Sequence, residues 1–271
     1  MNERKDGARM PGRWAIVLSG GEGERLRPFV REAFGDDRPK QYCSLAGGQT
    51  LLEETLSRAG ALVDEARLVT VIGRGHSDHY IAPPERFTEA VERAAELCER
   101  WTEDLVLLGS APDGPEQDYG WIEPVRAWTT GGGAMRVARF VEKPGAPEAA
   151  DLFGRNCLWN TMIMAAKART LWEMGRRCLP DLMTRFDSIL DAVGSPRERS
   201  ALVAAYRGMG SFNFSKDVLQ KLPGRVLVQP MAPVEWSDLG RPERILRAMA
   251  RRSSSEGRGR PARALALAGE R

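Results

Sequence analysis

The chain has 271 residues, 42% of them hydrophobic and 28% charged, a balance that suits a soluble globular protein of one large α/β domain or two small ones. No run approaches the roughly 18 apolar residues of a membrane-spanning helix. Cys43, Cys98, Cys157 and Cys178 form no C-x-x-C pair, which excludes a zinc ribbon or thioredoxin motif and reads as free thiols in a reducing cytoplasm. The formal net charge is +3, but Arg251 to Arg271 holds six arginines against two glutamates and leaves the rest of the chain slightly acidic. Bulk charge therefore gives no support to nucleic-acid binding.

Met1 to Gly12 is polar, without an apolar h-region, and reads as a disordered leader, not a secretory signal. Trp14 to Leu18 is a continuous apolar run, the pattern of a strand buried on both faces. A glycine-rich turn, Ser19 to Glu24, follows it. Leu51 to Val63 places Leu52, Thr55, Leu56, Ala59 and Val63 on one helical face. Arg67 to Ile72 is a second buried strand. Pro84 to Trp101 is helical, with Phe87, Val91, Ala94, Ala95 and Cys98 inward, and Leu105 to Leu108 is a third strand. Trp121 to Trp128 and Met135 to Glu142 flank Gly131-Gly132-Gly133 and predict an antiparallel hairpin. Leu158 to Ala165 is a strand, Ala168 to Cys178 and Asp181 to Ala192 are helices, Arg225 to Pro230 is a late strand, and Pro242 to Ala250 is the last helix. Arg251 to Arg271 reads as a disordered basic tail. Alternating strands and helices predict an α/β fold with a Rossmann-like mixed, mainly parallel sheet flanked by helices.

The loop after the first strand concentrates the chemistry. In open α/β sheets ligands sit beyond the C-terminal ends of strands. Gly20, Gly21 and Gly23 let backbone N–H groups approach an anion, and Arg25 and Arg27 add charge suited to phosphate. The loop is not a dinucleotide fingerprint, because Leu26 stands where the third glycine belongs, and the chain has no Gly-Lys-Ser/Thr for a P-loop. A plain glycine turn between strand and helix is the alternative. The two histidines, His76 and His79, flank Ser77-Asp78 in a pattern that resembles a transition-metal site but lacks further ligands.

GGEGERLRP at residues 20–28, with Arg38-Pro-Lys-Gln41 behind it, resembles the signature of the sugar-nucleotide pyrophosphorylases, the nucleoside-diphosphate-sugar nucleotidyltransferases. Phe140-Val-Glu-Lys-Pro144 is similar to their sugar-binding strand. Leu158-Trp-Asn-Thr-Met162 is similar to the next sugar-contacting segment, and Trp236-Ser-Asp-Leu-Gly240 to the late metal-binding segment. Together the motifs resemble the mannose-1-phosphate guanylyltransferase branch. The resemblance covers about Arg13 to Ala250 and implies one nucleotidyltransferase domain over 13–250.

It also implies a reaction: GTP and mannose 1-phosphate give GDP-mannose and pyrophosphate. The sugar phosphate is already an anion, so catalysis is positioning and charge neutralisation with no general base. By resemblance, Gly20, Gly21 and Gly23 cradle the triphosphate. Arg25 and Lys40 act on the phosphates as the catalytic cations. Glu142 accepts hydrogen bonds from sugar hydroxyls, Lys143 meets the sugar phosphate, Asn160 binds the sugar, and Gly120 lets the sugar approach backbone. Asp78 and Asp238 hold Mg²⁺, which one or two carboxylates and phosphate oxygens ordinarily bind. The implied protein is cytoplasmic, needs neither nucleic acid nor membrane, and is compatible with self-association.

One segment departs from this pattern. The strand ending at Ile72 is followed by Asp78 after only Gly73 to Ser77, too few residues for a parallel crossover of about 10–12. The chain reads as lacking one βαβ unit near residues 73–78, and with it a Gly-Thr-Ala loop that the resemblance associates with the base. A binding module that keeps the sugar half but has lost nucleotide affinity is the alternative this raises, beside a related transferase using another base or sugar phosphate.

Overall fold

A computed structural model describes residues 12–20, 26–35, 39–44, 48–73, 79–231 and 233–255. The chain divides into two compact units, Met1–Thr88 with Val234–Arg271, and Glu89–Pro233.

In the first unit β1 (Ala15–Gly20) runs parallel to β2 (Leu68–Gly73), in register from Ala15 opposite Leu68 to Gly20 opposite Gly73. Helix α1 (Arg27–Phe34) begins with a proline in its first turn, where the missing N–H costs nothing. It ends at Gly35, whose φ of 84° returns its N–H to the Arg31 carbonyl. Helix α2 (Leu51–Gly60) starts from a capping box: the Glu53 N–H donates to Thr50 Oγ1 at 3.2 Å and the Thr50 N–H to Glu53 Oε2 at 2.7 Å. Strand β3 (Tyr80–Ala82) pairs antiparallel with β9 (Glu235–Ser237), and α8 (Pro242–Ser255) follows. Leu26, Phe29 and Val30 pack with Cys43, Leu51, Leu239, Ile245, Ala248 and Met249 as this unit's core.

The second unit begins within α3 (Pro84–Arg100), whose buried Phe87, Ala90, Ala94, Leu97 and Cys98 recur at helical spacing. Its strands are β4 (Leu105–Ser110), β5 (Gly120–Thr129), β6 (Met135–Glu142), β7 (Leu158–Ala165) and β8 (Val226–Pro230). They close in the order β4-β7-β5-β6-β8. The β5–β6 hairpin turns at Thr130, which donates to Ala134 at 2.8 Å, with Gly133 at φ 81°. Helices α4 (Ala146–Gly154), α5 (Ala168–Cys178), α6 (Pro180–Leu190) and α7 (Glu198–Tyr206) and a π-turn at Ser215–Leu219 complete the unit. Leu105, Leu107, Ile122, Val137, Phe140, Met174, Val218, Leu219, Val226 and Val228 form its core.

The sheet is mixed but not mainly parallel. Among the described residues only β1–β2 and β4–β8 run parallel, against five antiparallel pairs. The cause is local: β5 and β6 are joined by a tight turn, which permits no other direction, and β7 then enters antiparallel between β4 and β5. The segment predicted to have lost a βαβ unit lies largely outside the described residues. β2 ends at Gly73 and β3 starts at Tyr80, and residues 74–79 are too few for a crossover helix. The predicted last helix extends past Ala250 to Ser255. The predicted leader, apart from Gly12, and the tail beyond Ser255 lie outside the described residues. No disulfide joins the four cysteines. Among the described residues no helix is long and apolar enough to cross a membrane.

Candidate active site

In the second unit, motifs far apart in sequence meet at Gly120. It starts β5 directly opposite Glu142, the last residue of β6, and the next residue, Trp121, faces Trp159, which places Asn160 beside them. A Cβ at position 120 would lie 2.8 Å from Phe140 Cζ, 2.9 Å from Glu142 Oε2 and 3.3 Å from Asn160 Cβ. A larger residue there would push into the Glu142 carboxylate. The neighbouring Trp159 is fixed edge-on to Tyr119 and Trp121, with ring centroids 4.9 and 6.0 Å away, and the Trp121 indole N–H donates to Glu116 O at 2.8 Å. These packed rings hold the strands that carry the site.

Asn160 owes its setting to a bulge. Leu107 of β4 faces Met164 and Gly109 faces Asn160, so Thr161, Met162 and Ile163 oppose Leu108 alone. Bulges of this kind re-aim side chains beside functional sites. The buried Thr161 hydroxyl donates to Leu108 O at 2.7 Å and accepts from the Ile163 N–H at 3.2 Å, which replaces ladder bonds lost in the bulge. Met162 takes a φ of 58°, and its N–H donates to Asn160 Oδ1 at 3.1 Å. The Asn160 amide donates through Nδ2 to Met162 Sδ at 3.0 Å.

Glu142 is held at both ends. Its backbone N–H donates to Gln220 Oε1 at 3.2 Å, and its carboxyl lies within reach of the Ser215 hydroxyl. Burial pushes its carboxyl above the usual range, opposed by the Lys143 charge and the Ser215 bond. Lys143 has a φ of 51° and donates its N–H to Tyr119 O at 3.1 Å. Gly120, Glu142, Lys143 and Asn160 are thus neighbours.

In the first unit, Lys40 opens a short 3₁₀ turn after Pro39 and is buried. Its ammonium donates to the backbone carbonyl of Asp238 at 2.5 Å. The Asp238 carboxylate accepts, through Oδ1, the Gly240 N–H at 3.0 Å and Arg244 Nη1 at 2.7 Å. A Cβ on Gly240 would come within 2.6 Å of Asp238 Oδ2, so glycine leaves room for the carboxylate. Leu239, fully buried at φ 50°, anchors the loop. The His79 ring meets Trp236 edge-on at 5.2 Å. Burial, then the Lys40 charge, pushes its imidazole down to about 4, so it is neutral near pH 7.

Lys40 and Asp238 are therefore brought together here. Gly20 is the last residue of β1. Gly21, Gly23, Arg25 and Asp78 lie outside the described residues, as does His76. Among the described residues there is no group of three metal-ligating side chains. Asp238 is nevertheless a hard oxygen donor of the kind that suits Mg²⁺, partly exposed at 24%. A cation taking its Oδ1 would share it with, or displace, the Arg244 guanidinium. Met162, Ser215, Gln220 and Arg244 were not singled out from sequence. Ser215 and Gln220 lie in a stretch without helical or strand periodicity, and the bulge that brings Met162 to Asn160 leaves no mark on an apolar strand pattern.

A family model described as nucleotidyl transferase matches residues 61–255. The chain is 26% identical to the alginate biosynthesis protein AlgA of Pseudomonas syringae pv. tomato, over 83% of this chain and 56% of that protein. It is also 26% identical to mannose-1-phosphate guanylyltransferase ManC of Salmonella typhimurium, over 84% of this chain and 57% of that protein. The chain spans about half the length of these curated relatives. Among solved structures, one titled mannose-1-phosphate geranyltransferase, from Thermus thermophilus, superposes with a TM-score of 0.68 at 26% identity, covering 86% of this chain and 78% of that one.

Proposed function

The chain belongs to the nucleotidyl transferase family, and from that premise we propose that it transfers a guanylyl group from GTP to mannose 1-phosphate, giving GDP-mannose and pyrophosphate. The relatives named for mannose-1-phosphate guanylyltransfer support the choice of substrates. The observation that carries the sugar half is the convergence of Glu142 and Asn160 over Gly120. A carboxylate and an amide beside a residue without a side chain offer hydroxyl acceptors and donors at a surface a sugar ring approaches closely.

In this reading the sugar phosphate oxygen attacks the α-phosphorus, a P–O bond forms, and the bond to the bridging oxygen breaks as pyrophosphate leaves. No proton has to move, and the neutral His79 is given no part in the step. Gly20, Gly21 and Gly23 offer backbone N–H groups to the triphosphate. Arg25 neutralises the leaving pyrophosphate, and Lys40, held against the Asp238 carbonyl, neutralises charge around the α-phosphorus. Lys143 meets the phosphate of the sugar. Mg²⁺ would supply further neutralisation of phosphate charge, with Asp78 and Asp238 as its protein ligands. The enzyme so described is cytoplasmic.

A second reading rests on the short link between β2 and β3: a homologue that holds the sugar phosphate but binds nucleotide poorly. Pyrophosphate release, measured over a panel of nucleoside triphosphates and sugar phosphates, tests the first reading. Turnover that peaks with GTP and mannose 1-phosphate supports it. Calorimetry with GTP and Mg²⁺ tests the second, which requires no saturable heat.

A further inference from the structure

The sulfur of Met162 occupies a position that suits it poorly. It lies 3.0 Å from Asn160 Nδ2 and 3.3 Å from Ser215 Oγ, yet a thioether is a weak acceptor and donates nothing. Asn160 and Ser215 are each about 5% exposed, whereas Met162 is 42% exposed. Two buried polar groups thus converge on a side chain that faces solvent and can move, since methionine is unbranched and adapts its packing readily.

Ser215 has one proton and two neighbours. Its hydroxyl contacts the Glu142 side chain as well as Met162 Sδ. A carboxyl oxygen is a far stronger acceptor than a thioether, so the proton goes to Glu142. That leaves a lone pair of Ser215 Oγ facing the place of the sulfur, opposite the N–H of Asn160. The group that fits between a donor and an acceptor accepts one hydrogen bond and donates one, which is what a hydroxyl does.

We propose that Met162 Sδ is the place-holder for one hydroxyl of the sugar, and that Ser215 is a specificity-determining residue of the sugar site. When the ligand binds, Met162 swings aside. The Asn160 amide donates to the ligand hydroxyl, which donates to Ser215 Oγ, which donates to the Glu142 carboxylate. Both hydroxyls in the chain are satisfied as donor and as acceptor, so a ligand lacking that hydroxyl leaves the Asn160 donor unmet, and one carrying an ether there leaves the Ser215 lone pair unmet. This inference rests on the sugar-binding role proposed for Glu142 and Asn160.

The test uses the full chain, mannose 1-phosphate and its monodeoxy analogues, with pyrophosphate release and calorimetric binding of the sugar phosphate as separate readouts. Ser215→Ala should weaken mannose 1-phosphate by about 2–10-fold, the worth of one hydrogen bond. With one deoxy analogue, and that one alone, the same substitution should cost nothing further, because the partner hydroxyl is already gone. Met162→Leu, which keeps the volume and removes the sulfur, should leave sugar-phosphate binding within about 2-fold. A purely structural role for Ser215 would weaken every analogue equally, and that result overturns the proposal. So does a Ser215→Ala protein that handles mannose 1-phosphate as the parent does. If the parent protein itself neither binds nor turns over any sugar phosphate in the panel, the proposed function fails first and this subsite falls with it.

Discussion

Gly120→Ala is the sharpest perturbation available, because the collision it causes is defined atom by atom. The new methyl would meet Phe140 Cζ at 2.8 Å and Glu142 Oε2 at 2.9 Å. Restoring ordinary van der Waals contact takes about half an ångström more room toward each neighbour. Phe140 is 1% exposed and packed in the core, so it has nowhere to go. The Glu142 side chain is half-buried and ends in a torsion that turns easily, so the methyl is pushed off Phe140 toward Glu142 and the carboxylate yields. A displacement of about 1 Å in a positioning group costs roughly 10²-fold in rate, and half of that suggests about 10-fold. The overpacking itself costs about 1–3 kcal/mol, or a fall in Tm of roughly 2–4 °C per kcal/mol for a chain of this size. The assay is kcat and KM for each substrate by pyrophosphate release, beside a thermal melt. The expected result is kcat/KM for mannose 1-phosphate reduced by about 10-fold, KM for GTP within about 2-fold of the parent, and a modest loss of Tm. A variant with an unchanged kcat/KM for mannose 1-phosphate, or one in which both KM values rise in parallel, would show that Gly120 is no part of a sugar site.

Lys40→Ala removes a buried ammonium bonded to Asp238 O and should lower kcat by about 10²–10³; unchanged single-turnover rates would reduce Lys40 to a structural tie. Arg244→Gln takes a charged partner from Asp238 Oδ1 and should lower the Mg²⁺ concentration for half-maximal rate by about 10-fold, the worth of a charge-assisted bond. An identical Mg²⁺ titration would show that guanidinium and metal do not compete there. Glu142, its pKa raised chiefly by burial, holds its proton more tightly folded than unfolded. Its contribution to stability is therefore full below its unfolded pKa and lost as pH rises through the folded value, whereas its service as a hydroxyl acceptor is lost as pH falls through that same value. Sugar-phosphate affinity should thus decline on acidification above the usual carboxylate range, and Glu142→Gln should abolish that acid limb; an acid limb identical in the variant would assign it to another group, such as the substrate phosphate.

Most of the elements were readable from periodicity. β6 and β7 match the predicted Met135 to Glu142 and Leu158 to Ala165, because long alternating or apolar runs leave little choice of register. The missed elements are short or carry weak patterns. α1 and α4 are eight and nine residues long, and β3 and β9 are three-residue strands that exist through each other. Sheet direction was misjudged for a different reason. Alternation of strands and helices suggests crossovers, but direction is set by which strands become neighbours, and here β7 lies between β4 and β5. At the candidate site, the motifs pointed to Gly120, Glu142, Lys143 and Asn160, while Ser215 and Gln220 became visible only through the contacts that a π-turn makes possible. Side-chain hydrogen bonds between segments more than fifty residues apart have no periodic trace in a sequence.

The backbone marks the same places independently of any motif. Among the described residues four non-glycine positions have positive φ: Lys143, Asn156, Met162 and Leu239. Lys143 follows Glu142, Met162 follows Asn160 by two residues, and Leu239 follows Asp238, so three of the four adjoin residues assigned to substrate or metal. Each such conformation costs of order 1–3 kcal/mol and persists where the surroundings over-determine it. The surroundings do so here. Lys143 is tied to Tyr119 O, Met162 to Asn160 Oδ1, and Leu239 is fully buried with its N–H on Ser237 Oγ. Turning the chain at these points re-aims the residue before or after the bend, which is what a site needs from strands that would otherwise alternate strictly between two faces. The strain, the bulge in β7 and the π-turn at Ser215–Leu219 are then one phenomenon: regular structure gives way where side chains from separate segments must meet.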